Sequence, residues 1–129
     1  MSEKVLIVDD EKDFLDILSD RIRLRGMDVS TASSAEEALN MIETESYDVV
    51  IMDYMMPALD GFQALKLMKA KQPEMQIILL TGNVPDEKYS EAKALGALDV
   101  IEKPPDLRVL IQKIKKAKKG VRKKQNATQ

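Results

Sequence analysis

With 129 residues, no cysteine and charged side chains at 33% of positions, the chain is sized for one self-sufficient domain and excludes a disulfide framework. No apolar run exceeds about five residues, and Glu3 and Lys4 stand at the start, which argues against a signal peptide or membrane span and makes a cytoplasmic protein the expectation. The formal charge of -2 conceals an asymmetry, since residues 1–102 carry 10 basic and 21 acidic side chains while residues 103–129 carry 10 and 1.

Residues 4–8, KVLIV, predict a first strand, ended by Asp9, Asp10 and Glu11. From Lys12 to Arg25, Phe14, Ile17, Leu18 and Ile22 recur at helical spacing, and Gly26 stands where a left-handed terminal residue is needed. Met27 to Ala32 is a more polar strand suited to a sheet edge. Ser34 then precedes Ala35, Glu36 and Glu37 as a capping box requires, opening a second helix that runs to about Glu45.

Val49 to Met52 form a continuous apolar run, suited to a strand buried on both faces, and they deliver Asp53 at its end. A turn-rich loop containing Pro57 follows, with Met55 and Met56 read as filling; Asp60 then caps a third helix bearing Phe62, Leu65 and Met68 on one face. The fourth strand, QIILL at residues 76–80, ends in Thr81 and Gly82. Between Asp86 and Leu95 only Tyr89, Ala92 and Leu95 form an apolar stripe, so this helix is expected to be the least firmly packed. Leu98 to Ile101 is a fifth strand that ends at Glu102 and Lys103, and Pro104 and Pro105 forbid its continuation. Leu107, Leu110, Ile111 and Ile114 face the core from a last helix ending near Gly120. Residues 120–129 lack an apolar period and are read as a basic flexible tail, leaving residues 1–119 as the domain; the lysines are read as a solvated helix end that complements the helix dipole, and no DNA-binding domain is expected.

Five strands alternating with five helices predict a three-layer α/β/α fold with a parallel sheet, whose strand ends share one edge. That edge gathers Asp9 and Asp10, Asp53, Thr81 and Lys103. If the first and third strands are neighbours, carboxylates about 4 to 5 Å apart repel by roughly 3 to 4 kcal/mol per pair at an effective dielectric near 20. Three pairs would cost about 10 kcal/mol, comparable with a whole domain's stability, so a raised pKa, an ammonium or a divalent cation must offset them. Oxygen donors without His or Cys favour Mg²⁺, which keeps waters and bridges to phosphate oxygens. With Mg²⁺ and Lys103 neutralising a phosphoryl group, the Asp53 carboxylate is placed to attack phosphorus in line and form an acyl phosphate, and the Thr81 hydroxyl to bond the new oxygens.

The motifs VLIVDDE at the first strand, VVIMDYMMPALDG around Asp53, LLTG at Thr81 and VIEKP at Lys103 resemble those of the receiver domain of bacterial two-component response regulators, and the resemblance covers residues 4 to about 119. It implies a flavodoxin-like five-stranded sheet in the order 2-1-3-4-5. It implies that Asp9, Asp10, Asp53 and the Met55 backbone carbonyl hold Mg²⁺, that Asp53 accepts phosphate from a sensor histidine kinase, and that Thr81 and Lys103 contact the phosphoryl group. Onward transfer to a histidine phosphotransfer protein, homodimerisation on phosphorylation, and a downstream protein bound through the fourth helix, fifth strand and last helix are further expectations, as is a cis Lys103–Pro104 bond. Two positions depart from the pattern: Val100 replaces the usual Tyr or Phe, and Pro105 the usual bulky apolar residue.

The chief rival is a Mg²⁺-dependent phosphohydrolase that turns over an aspartyl phosphate. Its second acid, two residues after the nucleophile, is missing here because Met55 occupies that place. A nucleotide or flavin binder is weaker still, since the first strand ends in acids instead of a phosphate-binding loop.

Overall fold

The computed structural model describes residues 3–55, 60–82 and 86–127, the side chains of residues 86 and 118–127 excepted; Met56 and Pro57 lie outside them. In chain order the elements are β1 (Lys4–Val8), α1 (Lys12–Arg23), β2 (Asp28–Ala32), α2 (Ala35–Thr44), β3 (Val49–Asp53), α3 (Gly61–Lys71), β4 (Gln76–Thr81), α4 (Asp86–Ala94), β5 (Asp99–Glu102) and α5 (Leu107–Ala127). All strand pairs are parallel and the sheet order is β2-β1-β3-β4-β5, the expected flavodoxin-like three-layer arrangement.

Period-two alternation along the central strands divides the core in two. Leu6, Val8, Val50, Met52, Ile77 and Leu79 face α2 and α3. Val5, Ile7, Val49, Ile51, Ile78 and Leu80 face α1 and α5. Every residue of β3 is buried, which is why its sequence is a run and not an alternation. No described helix is long and apolar enough to cross a membrane.

The helix boundaries follow local chemistry. Gly26 takes φ 84° and Gly96 φ 109° after α1 and α4, the left-handed geometry that a Cβ opposes. Asp60 Oδ1 accepts a hydrogen bond from Phe62 N, capping α3 as expected. At α2, Ser34 Oγ accepts from Glu37 N, but the Glu37 carboxylate returns to the N–H and hydroxyl of Ser33 instead of the backbone of Ser34, so the capping box is displaced by one residue.

Two expectations are corrected. Ile17 is 55% exposed, and the buried face of α1 is Leu15, Leu18, Ser19 and Ile22. Ser19 is tolerated there because its hydroxyl donates to Leu15 O at 2.6 Å, so the buried polar group is satisfied and the apolar stripe shifts toward Leu15. The last helix does not end near Gly120 but runs to Ala127, so the segment read as a flexible tail is helical that far, and Thr128 and Gln129 lie outside the described residues. One interior glycine costs only about 1 kcal/mol, and the lysines, arginine and glutamine around it are good helix formers. The Lys103–Pro104 bond is cis, as expected.

Candidate functional site

The site is assembled by extending the sheet one residue past its strands. Asp9 N donates to Ala32 O at the end of β2, Tyr54 N to Leu80 O, and Lys103 N to Thr81 O. These bonds carry Asp9, Asp53 and Lys103 to one edge, while the pairing of Asp53 with Leu80 and of Thr81 with Glu102 sets Thr81 one residue farther along the neighbouring strand. Thus the buried Asp9, Asp53 and Thr81 and the exposed Asp10 gather where the sequence placed them.

Lys103 is the hub of this edge. Its Nζ lies 2.7 Å from Asp9 Oδ2, 3.1 Å from Asp53 Oδ2 and 3.4 Å from Glu11 Oε1, with the side chain only 15% exposed. Burial by itself would favour the neutral amine, but the Asp9 and Asp53 carboxylates beside it outweigh that and raise the Lys103 pKa well above the ordinary lysine value. The ammonium also stands 4.4 Å from the centroid of the Phe14 ring, a cation–π contact that closes its remaining side.

Each buried carboxylate is oriented by a backbone donor. Glu11 N donates to Asp9 Oδ1 at 2.8 Å, and Met55 N to Asp53 Oδ1 at 3.0 Å. The second oxygen of Asp53 accepts from Lys103 Nζ. The second oxygen of Asp9 differs: it is buried and close to Lys103 Nζ as an ion pair, yet no hydrogen-bond donor is aligned on it. Oxygens of Asp9, Asp10 and Asp53 all fall within 4.8 Å of one another. A buried, incompletely satisfied oxygen in an all-oxygen cluster with an excess of negative charge fits a hard divalent cation.

Sequence reasoning missed Glu11 and Phe14 as members of this site. Glu11 was visible as the third acid after β1, whereas the partial burial of Phe14 against the α1–α5 side of the core looks in sequence like ordinary helix packing. Met55 stands beside Asp53 through its backbone N–H, with its side chain 69% exposed.

Tyr54, next to Asp53, leads away from the site. Its ring packs against that of Phe62 with centroids 5.0 Å apart, and Lys88 Nζ of α4 lies 5.3 Å from the Phe62 centroid. Val100 is partly buried against the α2–α3 side of the core, so the position where the family pattern has an aromatic is filled by a small branched side chain.

A family model described as the response regulator receiver domain matches residues 5–115. The alkaline phosphatase synthesis transcriptional regulatory protein PhoP of Bacillus subtilis is 38% identical over 106 residues, covering 81% of this chain and 43% of PhoP. The response regulator protein FleR of Pseudomonas aeruginosa is 35% identical over 111 residues, covering 86% of this chain and 24% of FleR. The chain therefore spans less than half the length of either relative. A CheY-like response regulator receiver domain protein from Methanospirillum hungatei is 30% identical and superposes with a TM-score of 0.90, covering 96% of this chain and 99% of that one.

Proposed function

The chain belongs to the response regulator receiver domain family, and from that membership we propose that Asp53 is its phosphoryl acceptor, taking the group from the phosphohistidine of a sensor histidine kinase. The observation that carries this reading is the environment of Asp53. It is a buried carboxylate held in one rotamer by Met55 N on one oxygen and Lys103 Nζ on the other, at the open edge of the sheet. An Asp53 oxygen forms the new bond to phosphorus while the P–N bond breaks, its electron pair leaving on the donor imidazole, which departs neutral with its other nitrogen protonated.

Asp9, Asp10, Asp53 and the Met55 carbonyl are the groups that would hold Mg²⁺, which when bound supplies charge neutralisation for the phosphoryl oxygens. This chain's own residues do the rest. Lys103 lies between the nucleophile and Asp9 and is placed to exchange its contact with Asp53 for one with a phosphoryl oxygen. Thr81, one residue beyond the partner of Asp53 on β4, is placed to donate its hydroxyl to the same group. Met55 places no acid two residues after Asp53, which supports a switch that catalyses only its own phosphorylation and dephosphorylation over a phosphohydrolase with turnover.

The face of α4, β5 and α5 is the proposed output surface, for a downstream protein or a second copy of the chain. Within α4 the buried apolar side chain among described residues is Ala92, and Tyr89, which is 39% exposed, is tied to β5 by a hydrogen bond from its hydroxyl to Asp99 Oδ1. Lys113 of α5 pairs with the other oxygen of Asp99. A face held by polar contacts and little apolar burial rearranges cheaply. A cytoplasmic location and onward transfer to a histidine phosphotransfer protein accord with the same reading.

Incubation with a small acyl phosphate and Mg²⁺, followed by intact-mass measurement, tests the central assignment. One added phosphate on the wild type and none on Asp53→Asn is expected; equal labelling of both proteins overturns the assignment, and multiple-turnover phosphate release from a phosphate monoester, which a self-dephosphorylating acceptor does not give, overturns the switch.

A further inference from the structure

The backbone of α5 continues as helix past the last of its side chains that the structure describes. Among its described side chains the buried ones are Leu110, Ile111, Ile114 and Ala117, and the helix runs on to Ala127, ten residues and ~15 Å past Ala117. The charge of this segment is of one sign: after Asp106 there is no acidic residue, while Arg108, Lys113, Lys115, Lys116, Lys118, Lys119, Arg122, Lys123 and Lys124 follow.

By helical spacing six of these nine cations share the arc away from the buried positions, while Lys118 and Lys124 fall on the flanks of the buried side. Lys113 is taken by Asp99. Arg108, Lys115 and Lys116 are exposed, on the side opposite the buried positions, and by helical spacing Lys119, Arg122 and Lys123 stand at the positions that continue that side. The result is a stripe of six cationic positions over ~22 Å of helix. Lys115, Lys119 and Lys123 follow one another at i,i+4, a spacing at which like charges destabilise a helix, and no acid after Asp106 relieves them. Such a stripe gains most from an external line of negative charge.

We propose that the outer face of α5 binds the phosphate backbone of duplex DNA without reading its sequence. A specific protein partner would call for a cluster of aromatic or large apolar anchors among the charges, where the described outer side chains of α5 offer Val109 alone, and an anionic membrane for an apolar face beneath them. Single-stranded nucleic acid would call for stacking aromatics, and residues 90–129 contain no Phe, Tyr or Trp. A duplex backbone requires only spaced cations. The remainder of the chain is strongly acidic, so it is repelled by the duplex and leaves α5 as the contacting face. This surface lies outside the phosphoryl site and does not depend on the role assigned to Asp53.

The test is fluorescence anisotropy of a labelled duplex of arbitrary sequence, titrated with the full chain at several KCl concentrations. The expected plot of log K against log[KCl] has a slope of about -4 to -5, since each neutralised phosphate contributes roughly -0.9. A Lys115→Gln/Lys116→Gln variant, altered at two exposed positions clear of the core, should keep its circular dichroism spectrum and lose about 2 from that slope. Equal affinity for a second duplex of unrelated sequence supports backbone binding. Absence of duplex binding at low salt, an unchanged slope in the variant, tighter binding of single strands, or binding of polyglutamate without duplex, the mark of an acidic protein partner, would each overturn the proposal.

Discussion

Lys103 Nζ lies 3.1 Å from Asp53 Oδ2, across a sequence separation of 50 residues, and the same ammonium is 2.7 Å from Asp9 Oδ2. One cation is thus shared by two buried carboxylates, with Asp10 and Glu11 adding further negative charge at the rim. The proposed phosphoryl acceptor is neutralised in part by Lys103.

Removing that ammonium should expose the imbalance. Lys103→Met leaves Asp9 and Asp53 buried together without a counter-charge, and breaking such a pair costs about 3–5 kcal/mol when fully buried. Because the lysine side chain is 15% exposed, a loss nearer about 2–3 kcal/mol is expected. The Lys103 pKa is raised in the folded state, so its contribution is fully present below the ordinary lysine value and is lost as pH climbs through the higher folded value. The stability difference between wild type and variant should therefore be flat from neutrality to about pH 10 and shrink above it. Urea midpoints across that range check both the size and the direction.

Gly61 marks a second tight place. A Cβ there would lie 2.7 Å from the Tyr54 carbonyl oxygen and 2.6 Å from its ring, so α3 begins directly against the residue that follows Asp53. Gly61→Ala should destabilise by about 1–3 kcal/mol through overpacking, although alanine is the better helix former. A midpoint equal to or above that of the wild type would show that the strand end yields freely.

The contrast between Asp53 and Ile17 shows what the sequence discloses. A carboxylate at the end of a fully apolar run is legible because burial on both faces and the abrupt polar ending are properties of the local string, and so Asp9, Asp53, Thr81 and Lys103 are found where expected. The buried face of α1 is not, because Ser19 satisfies its hydroxyl on Leu15 O and so occupies a core position that periodicity assigns to an apolar residue. The contact between Lys103 and Phe14 is likewise tertiary, formed only when β5 ends beside α1. Helix α5 beyond Gly120 escapes a core-based reading because nothing there is periodic in apolar residues. The sheet order also lies outside local pattern and comes from the family.

The output face makes a kinetic prediction. Phosphorylation of Asp53 is expected to draw Lys103 and Thr81 toward the new oxygens at the ends of β5 and β4, and the polar ties that join α4, β5 and α5 through Asp99 are of a kind that rearranges at little cost. Amide exchange from Glu87 to Leu110 should change most after treatment with an acyl phosphate, and Tyr89→Phe should raise exchange in α4 before phosphorylation. Changes confined to α1 would remove this face from consideration.

Magnesium and Asp53→Asn should act on stability in the same direction but not additively. A cation that binds only the folded state adds RT ln(1 + [L]/Kd), roughly 1.4 kcal/mol at about 10 mM Mg²⁺ for an assumed millimolar Kd. Asp53→Asn changes the arrangement of two buried carboxylates around one ammonium into the balanced pair of Asp9 and Lys103. It also has a cost. Both oxygens of Asp53 accept hydrogen bonds, from Met55 N and from Lys103 Nζ, and an amide offers only one acceptor, so about 1–1.5 kcal/mol is forfeited. The relieved repulsion, roughly 3 to 4 kcal/mol per close carboxylate pair at an effective dielectric near 20, is the larger effect, though Lys103 already screens part of it. In chelator the variant should therefore be more stable than the wild type by about 1 kcal/mol, and it should gain less from Mg²⁺ because the cluster has lost a ligand. Calcium should stabilise the wild type too, since it takes the same oxygen donors. Denaturant midpoints for both proteins, with chelator and with each cation, decide the matter: a variant less stable than the wild type in chelator would mean that Lys103 already balances the cluster and that the lost hydrogen bond dominates.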